Sequence, residues 1–311
     1  KNRYNQSNMS KTTRSIKKIA LVYHPRSTGA QAEAVQVNAL LSKYAATVFT
    51  ARTDSEELAA RLATREFDLV IALGGDGTML RAGHLAAPLA IPVLGINLGR
   101  FGFLMQLTRE DWKETLPRLF SSAYKIETRM MLQAEHWREQ NLLGTYPVIN
   151  DVVVCRSNVV RPIRLHAKVD GYSLASYVAD GLIAATPTGS TAYSLAVGGP
   201  VLPPELRNFL IVPVAPHLSM NQAVVLPEGA SVEITTTSDH PAVMSVDGHA
   251  PVSLKNNDVV FVKRSEFSLK FIVFQDEGYF YRNLSNYMEQ NPSIGARSEE
   301  HTSELQSHLN L

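Results

Sequence analysis

Asp76 stands inside Gly74-Gly75-Asp76-Gly77-Thr78, directly after five apolar residues, Leu69-Val70-Ile71-Ala72-Leu73. Glycine lets backbone N–H groups approach an anion with no Cβ in the way. The amphipathic run that follows reads as a helix, whose N-terminus adds unpaired N–H donors and the positive end of a dipole. Such a loop suits phosphate. A carboxylate does not, because it repels phosphate unless a metal ion or a proton-transfer role explains it. The residues therefore point to phosphoryl transfer with Asp76 at the reacting centre. Gly-Gly-Asp-Gly is also ordinary turn chemistry, and a plain turn is the alternative.

Other stretches carry polar groups that could serve the same chemistry. Gly95 to Leu104 is a second glycine-rich loop after a strand, but it is not GxGxxG, so the dinucleotide fingerprint is absent. Phe101 or Phe103 could stack on a base or plug the space between domains. Asn150-Asp151, before the apolar Val152-Val153-Val154, could hydrogen-bond a base or ribose, or form a turn. In Thr186-Pro187-Thr188-Gly189-Ser190-Thr191, hydroxyls and backbone N–H groups could cradle a ligand, and Thr191 could open a short helix, though a plain serine- and threonine-rich loop is the first reading. Asp247-Gly248-His249 reads as a hairpin turn first and a site second. His24 and Arg26, after the first strand, read as a solvated loop before a phosphate contact. The histidines have no HExxH spacing and no nucleophile elbow is present, so zinc and hydrolase chemistry rank low.

These residues need a frame. Lys18–Tyr23, Ala46–Ala51, Phe67–Leu73 and Ile91–Ile96 read as strands, alternating with helices at Ala30–Lys43 and Asp54–Arg65 and with the helix after Thr78. The alternation predicts a doubly wound, mostly parallel α/β domain over 16–122, with the glycine loop at a strand's C-terminal end, where ligands bind in such sheets. From about Tyr124 the texture becomes short alternating segments split by turns such as Asp170-Gly171. This predicts a β-rich, antiparallel, sandwich-like domain over 123–288, with Leu269–Phe274 as its last strand and the chain end returning to the first domain.

The 311 residues are 45% hydrophobic, enough for two real cores. A net charge of +1 with no long basic block argues against nucleic acid as a partner. One cysteine, Cys155, excludes an internal disulfide and fits the cytoplasm. No apolar run approaches the roughly 20 residues that span a bilayer. Residues 1–15 read as disordered or added, with Met9 as the natural start and the eight residues before it as a tag or translated upstream sequence. Residues 289–311 read as a tail, within which 297–311 resemble a translated library adapter.

Gly-Gly-Asp-Gly-Thr after a strand, Asn97 to Leu104 after the next, the Asn150-Asp151 pair, Asp180 to Pro200 and Ser245-Val246-Asp247-Gly248 together resemble NAD kinases, over about Ile16 to Tyr287. The resemblance implies transfer of the terminal phosphoryl group of ATP to the adenosine 2′-hydroxyl of NAD. It also implies a divalent metal, usually Mg2+, and a homo-oligomer, a dimer or tetramer, whose neighbouring subunit completes the site. It makes Asp76 the general base and Gly77 a nucleotide contact, in the loop that Gly74, Gly75 and Thr78 complete as the phosphate cradle read above. It makes Asn150, Asp151, Arg161, Asp180, Thr191, Ala192, Tyr193 and Ser194 contacts of the dinucleotide. His249 stands where many members carry glutamine, and Ala196 where many carry serine. The rivals are another GGDGT-type kinase, acting on a lipid or sugar, and a nucleotide-binding regulator without catalysis.

Overall fold

The computed structural model describes residues 9–10, 15–25, 29–44, 46–99, 102–157, 161–238, 240–276 and 278–290. Arg26, Phe101, residues 1–8 and the tail from 291 onward, all read above, lie outside the described residues.

Chain order begins with β1 (Met9–Ser10), β2 (Lys18–Tyr23), α1 (Ala30–Ser42), β3 (Thr47–Arg52), α2 (Glu56–Ala63), β4 (Leu69–Gly74), α3 (Asp76–Ala86) and β5 (Val93–Asn97). β3, β2, β4 and β5 pair in parallel in that spatial order. All six residues of β4 are buried, as a strand covered on both faces requires. α2 is shorter than the Asp54–Arg65 expected. The Ser55 hydroxyl caps it by accepting the Leu58 N–H at 3.3 Å, and Arg65 ends the segment with a left-handed φ of 56°.

After the short α4 (Trp112–Thr115) come β6 (Lys125–Arg138), β7 (Asn141–Val148), β8 (Asp151–Arg156), β9 (Ile163–Val169), β10 (Tyr172–Ala179) and β11 (Gly181–Ala185). A single helical turn, α5 (Tyr193–Ala196), precedes β12 (Asn208–Val214), β13 (Val224–Pro227), β14 (Ser231–Thr236), β15 (Ala242–Val246), β16 (Val252–Leu254), β17 (Val259–Val273) and α6 (Tyr279–Gln290). β13-β12-β11-β8-β15-β16 form a six-stranded antiparallel sheet. It packs on β6, β9, β14 and β17 through one core that includes Leu132, Leu165, Val232, Phe209 and Met244. The fold is thus the expected α/β unit with a C-terminal antiparallel sandwich.

The last strand departs from expectation. Leu269–Phe274 is only the end of β17, which runs 15 residues with an irregularity between Arg264 and Ser268. Its first half pairs antiparallel with β14, and its second half meets β5 in parallel at Phe271 and Val93, while β6 flanks it along its length. The charged run Lys263-Arg264-Ser265-Glu266 breaks the apolar pattern, and a bulge accommodates it without ending the strand. No helix among the described residues is long and apolar enough to cross a membrane.

Phe271 is fully buried where the parallel and antiparallel pairings meet, under the Arg129 guanidinium at 4.1 Å from its ring centroid. Phe271→Ala is expected to cost about 3–5 kcal/mol, the usual range for emptying a buried aromatic site. Urea unfolding checks it: the midpoint drops while the slope stays constant.

Candidate active site

β4 and β5 both end at one edge of the parallel sheet, with Gly74 paired to Asn97. Gly74 turns there with φ 154°, and a Cβ on it would overlap the Thr78 hydroxyl. Gly75 caps α3, and Asp76 is that helix's first residue. A Cβ on Gly75 or Gly77 would meet nothing within 4 Å, so this side of the loop is open to a ligand. The open loop, with the free N–H groups that every helix start presents, is a cradle for an anion.

The Asp76 side chain faces the second glycine-rich loop. Its carboxylate accepts the Phe103 N–H at 3.0 Å and the Leu104 N–H at 3.1 Å, one on each oxygen. Gly102 lies so close that any Cβ there would overlap this carboxyl. Asn97 shapes the start of the same loop by exchanging hydrogen bonds with Gly99. Residue 76 as a whole is half-buried, but its carboxyl lies deep. Burial raises its pKa above the ordinary carboxylate value, against the two backbone N–H bonds and the charge of Arg129, which pull it down. Arg129 is itself buried, and its Nε donates to Glu127 at 2.6 Å.

Asn150 and Asp151 form a second centre with no tight turn of their own. The turn is imposed from Asp247, whose carboxylate accepts three successive backbone N–H groups, of Ile149 (2.8 Å), Asn150 (2.7 Å) and Asp151 (3.0 Å). Asp247 and Gly248 do form a hairpin turn, with φ 49° and 71°. The Asp247 side chain, however, is fully buried and is the anchor of the neighbouring loop. Asp151 is also buried. Burial, and then the nearby Asp247, push its pKa up to about 7, while a backbone hydrogen bond from Tyr193 opposes them. Asn150 Oδ1 and Ser194 Oγ are buried with no hydrogen-bond partner among the described residues.

The hydroxyl-rich stretch turns its side chains inward, as a plain loop does. Thr186 Oγ1 donates to Ile149 O at 2.6 Å and accepts the Gly189 N–H at 3.0 Å. Ser190 Oγ donates to Pro187 O and accepts the Leu202 N–H. Thr191 Oγ1 donates to Thr188 O at 3.0 Å, so it closes a 3-10 turn over Thr188–Thr191 and does not cap a helix. A residue starting a helix is extended, whereas this one is already wound. These hydroxyls shape the loop and leave Ala192 and Tyr193 at its outer side, with Tyr193 exposed. Gly189 sits against the Asn150 backbone where no Cβ fits.

Asp180 pairs with Arg156 at 2.9 Å. The Tyr193 hydroxyl pKa is raised by burial and then by Cys155, Asp180 and Asp151, so these groups surround one spot. Cys155 is held above its ordinary value by burial, which makes it a poor nucleophile there. His249 lies 5.1 Å from His84, ring centroid to ring centroid, across a cleft of about 380 Å³ also lined by Tyr146, Met244 and Val252. Its pKa is lowered by burial and then by His84. Phe103 is half-buried and touches Asp76 through its backbone. Arg161 is exposed on a bend before β9, and no contact among the described residues joins it to Asp151 or Asp180. A depression of about 490 Å³ over the β3 edge, lined by the paired Arg52 and Asp54, touches none of these residues.

His84 and Arg129 are the members that sequence reasoning passed over. Asp247 was read as a turn first and a site second; its backbone partners lie 96 to 98 residues away, which no local pattern reports.

Two family models match the chain: ATP-NAD kinase N-terminal domain over residues 5–124 and ATP-NAD kinase C-terminal domain over residues 149–274. A NAD kinase of Heliobacterium modesticaldum is 42% identical over 237 residues, covering 76% of this chain and 83% of that protein. Among solved structures, a NAD kinase from Archaeoglobus fulgidus in complex with ATP aligns with a TM-score of 0.71 at 26% identity, over 89% of this chain and 100% of that one. A yeast NADH kinase complexed with NADH aligns with a TM-score of 0.79 over 92% and 91%, and at 23% identity it speaks to the fold alone.

The raised pKa of Asp151 sets a sign for stability against pH. Its neutral form is favoured in the fold, so its contribution is full below the unfolded value of 3.8 and is lost as pH rises toward about 7. Urea midpoints measured across this window should fall with pH in the wild type, and Asp151→Asn should flatten that fall.

Proposed function

The chain belongs to the ATP-NAD kinase family, and from that premise we propose how its own residues carry the reaction. It is a phosphotransferase, moving the terminal phosphoryl group of ATP to the adenosine 2′-hydroxyl of NAD. Asp76 is the general base. The observation that carries this assignment is its carboxyl, held by the Phe103 and Leu104 N–H groups at the start of α3 and desolvated there. Each carboxylate oxygen keeps a lone pair for a further hydrogen bond. A desolvated carboxylate is a stronger base than one in water.

In the step, Asp76 takes the 2′-hydroxyl proton as that oxygen bonds the terminal phosphorus. The bond from that phosphorus to the bridging oxygen breaks and ADP leaves. An alcohol is a poor nucleophile at neutral pH, so a carboxylate within hydrogen-bond reach is needed as attack proceeds. Positioning and charge neutralisation supply most of the acceleration in phosphoryl transfer. Gly74, Gly75, Gly77 and Thr78 form the anion cradle for the triphosphate.

Asn150 and Asp151 hold the NAD acceptor, with Thr191, Ala192, Tyr193 and Ser194 along its adenosine half and Asp180, Arg161 and His249 at its periphery. The unmet Asn150 Oδ1 acceptor supports this reading, since an exocyclic amino group or hydroxyl of the acceptor can donate to it. Residues 16–122 act as the donor lobe and 123–288 as the acceptor lobe.

Among the described residues, no group of three His, Cys, Asp or Glu side chains could cage an ion. A Mg2+ ion would therefore be held mostly by the triphosphate, as is usual for that ion, and would neutralise charge on the transferred group. The single cysteine supports a reducing, cytoplasmic setting, and the homo-oligomer rests on the family resemblance.

Asp76→Asn should fold normally and lose about 10²–10⁴-fold in turnover, read as NADP formation from ATP and NAD. Unaltered turnover would remove Asp76 from its role. Gly102→Ala, placed against the same carboxyl, should lower turnover by about tenfold or more by displacing it, with an unchanged circular-dichroism spectrum.

A further inference from the structure

Asp247 has four donors on one carboxylate. Oδ1 takes the Asn150 and Asp151 N–H groups, and Oδ2 takes the Ile149 N–H and His84 Nε2, the last at 2.8 Å. The Asp247 N–H in turn donates to Asp151 O at 2.9 Å. His84 belongs to α3, the helix that Asp76 opens. The two are eight positions apart, about 12 Å along a helix axis. The residue before it, Gly83, leaves room for Ile149 and Leu269: a Cβ there would come within 2.8 Å of Ile149 Cδ1 and 2.9 Å of Leu269 Cδ2. One rigid helix therefore carries the base at its start and, near its end, a side chain bonded to the anchor of the Asn150–Asp151 turn.

We infer that Asp247 and His84 are positioning residues: Asp247 shapes the turn that receives the acceptor, and His84 sets that turn's distance from Asp76 through α3. The inference rests on the reading of Asp76 as base and of Asn150 and Asp151 as acceptor contacts. The two residues act on different quantities. Asp247 bonds the turn itself, so its loss disturbs acceptor binding. The three backbone donors survive the loss of His84, so the turn keeps its shape but loses its link to the base's helix. That change falls on alignment, to which phosphoryl transfer is steeply sensitive.

The test is steady-state kinetics with ATP and NAD on the full chain, with urea midpoints for every variant. Asp247→Asn should raise KM for NAD about tenfold or more and leave KM for ATP within about twofold. His84→Phe should lower kcat about tenfold with a smaller change in KM for NAD, and His84→Gln, which keeps a donor for Asp247, should recover most of that loss. Three results overturn the inference: wild-type kinetics in His84→Phe, equal losses in His84→Gln and His84→Phe, or parallel rises of both KM values with a lowered midpoint. Failure of the wild-type protein to form NADP would instead overturn the reading on which the inference rests.

Discussion

Hydrogen bonding along β17 joins a parallel and an antiparallel half into one continuous sheet. Its first half lies antiparallel to β14, its second half parallel to β5, and β6 flanks both. Parallel sheets are covered on both faces, whereas antiparallel ones can be stacked in pairs. The strand therefore has to be apolar on both sides at one end and alternate at the other. Its burial does this: Phe271, Ile272 and Val273 are all buried, whereas Val259 to Lys263 alternate. Because the sheet is continuous, the cores mix. Met131, Ile149 and Leu269 pack with the helices of the parallel unit. The lobes are thus held by shared core as well as by shared backbone, and the cleft edge where β4 and β5 end has fixed walls.

Those walls contain three carboxyls, and each meets the cost of burial differently. An ionised carboxylate withdrawn from water needs hydrogen bonds or an opposite charge. Asp76 has two backbone N–H groups and the nearby charge of Arg129. Asp247 has three backbone N–H groups and His84. Asp151 has, among the described residues, the Tyr193 N–H, and it takes up a proton up to about pH 7. The difference suits the substrates. A dinucleotide and a triphosphate both bring negative charge, and a third fixed anion between them would repel both. A protonated Asp151 still donates and accepts hydrogen bonds without adding that repulsion.

The elements carrying Asp76 were legible because their signals are local. A buried apolar run, glycines that must turn, and an amphipathic continuation determine β4, the loop and α3 within eighteen residues, 69 to 86. The Asp170-Gly171 turn was legible for the same reason, since both residues adopt positive φ. What escaped was long-range or ambiguous by chemistry. Nothing near Asp247 announces that it serves residues almost a hundred positions earlier. The hydroxyls of Thr186, Ser190 and Thr191 read as plain loop or as ligand donors, because a hydroxyl serves backbone and ligand equally well. Burial decides between these uses, and burial is a property of the fold.

That inward turning of the hydroxyls also explains why so many small residues crowd the loop from 186 to 199. Gly189 lets Asn150 approach backbone to backbone, and Gly199 accommodates the Ser194 side chain. Thr186 ties the same stretch to Ile149 from the side opposite Asp247. The Ile149–Asp151 turn is therefore gripped from two directions, by a carboxylate on its N–H groups and by a hydroxyl and an N–H on its C=O groups, the Thr186 N–H reaching Asn150 O at 2.8 Å. A turn bonded on both its donors and its acceptors has few alternative conformations. Its orientation can then be changed only by moving the elements that hold it, and one of those, through His84, is the helix that presents Asp76.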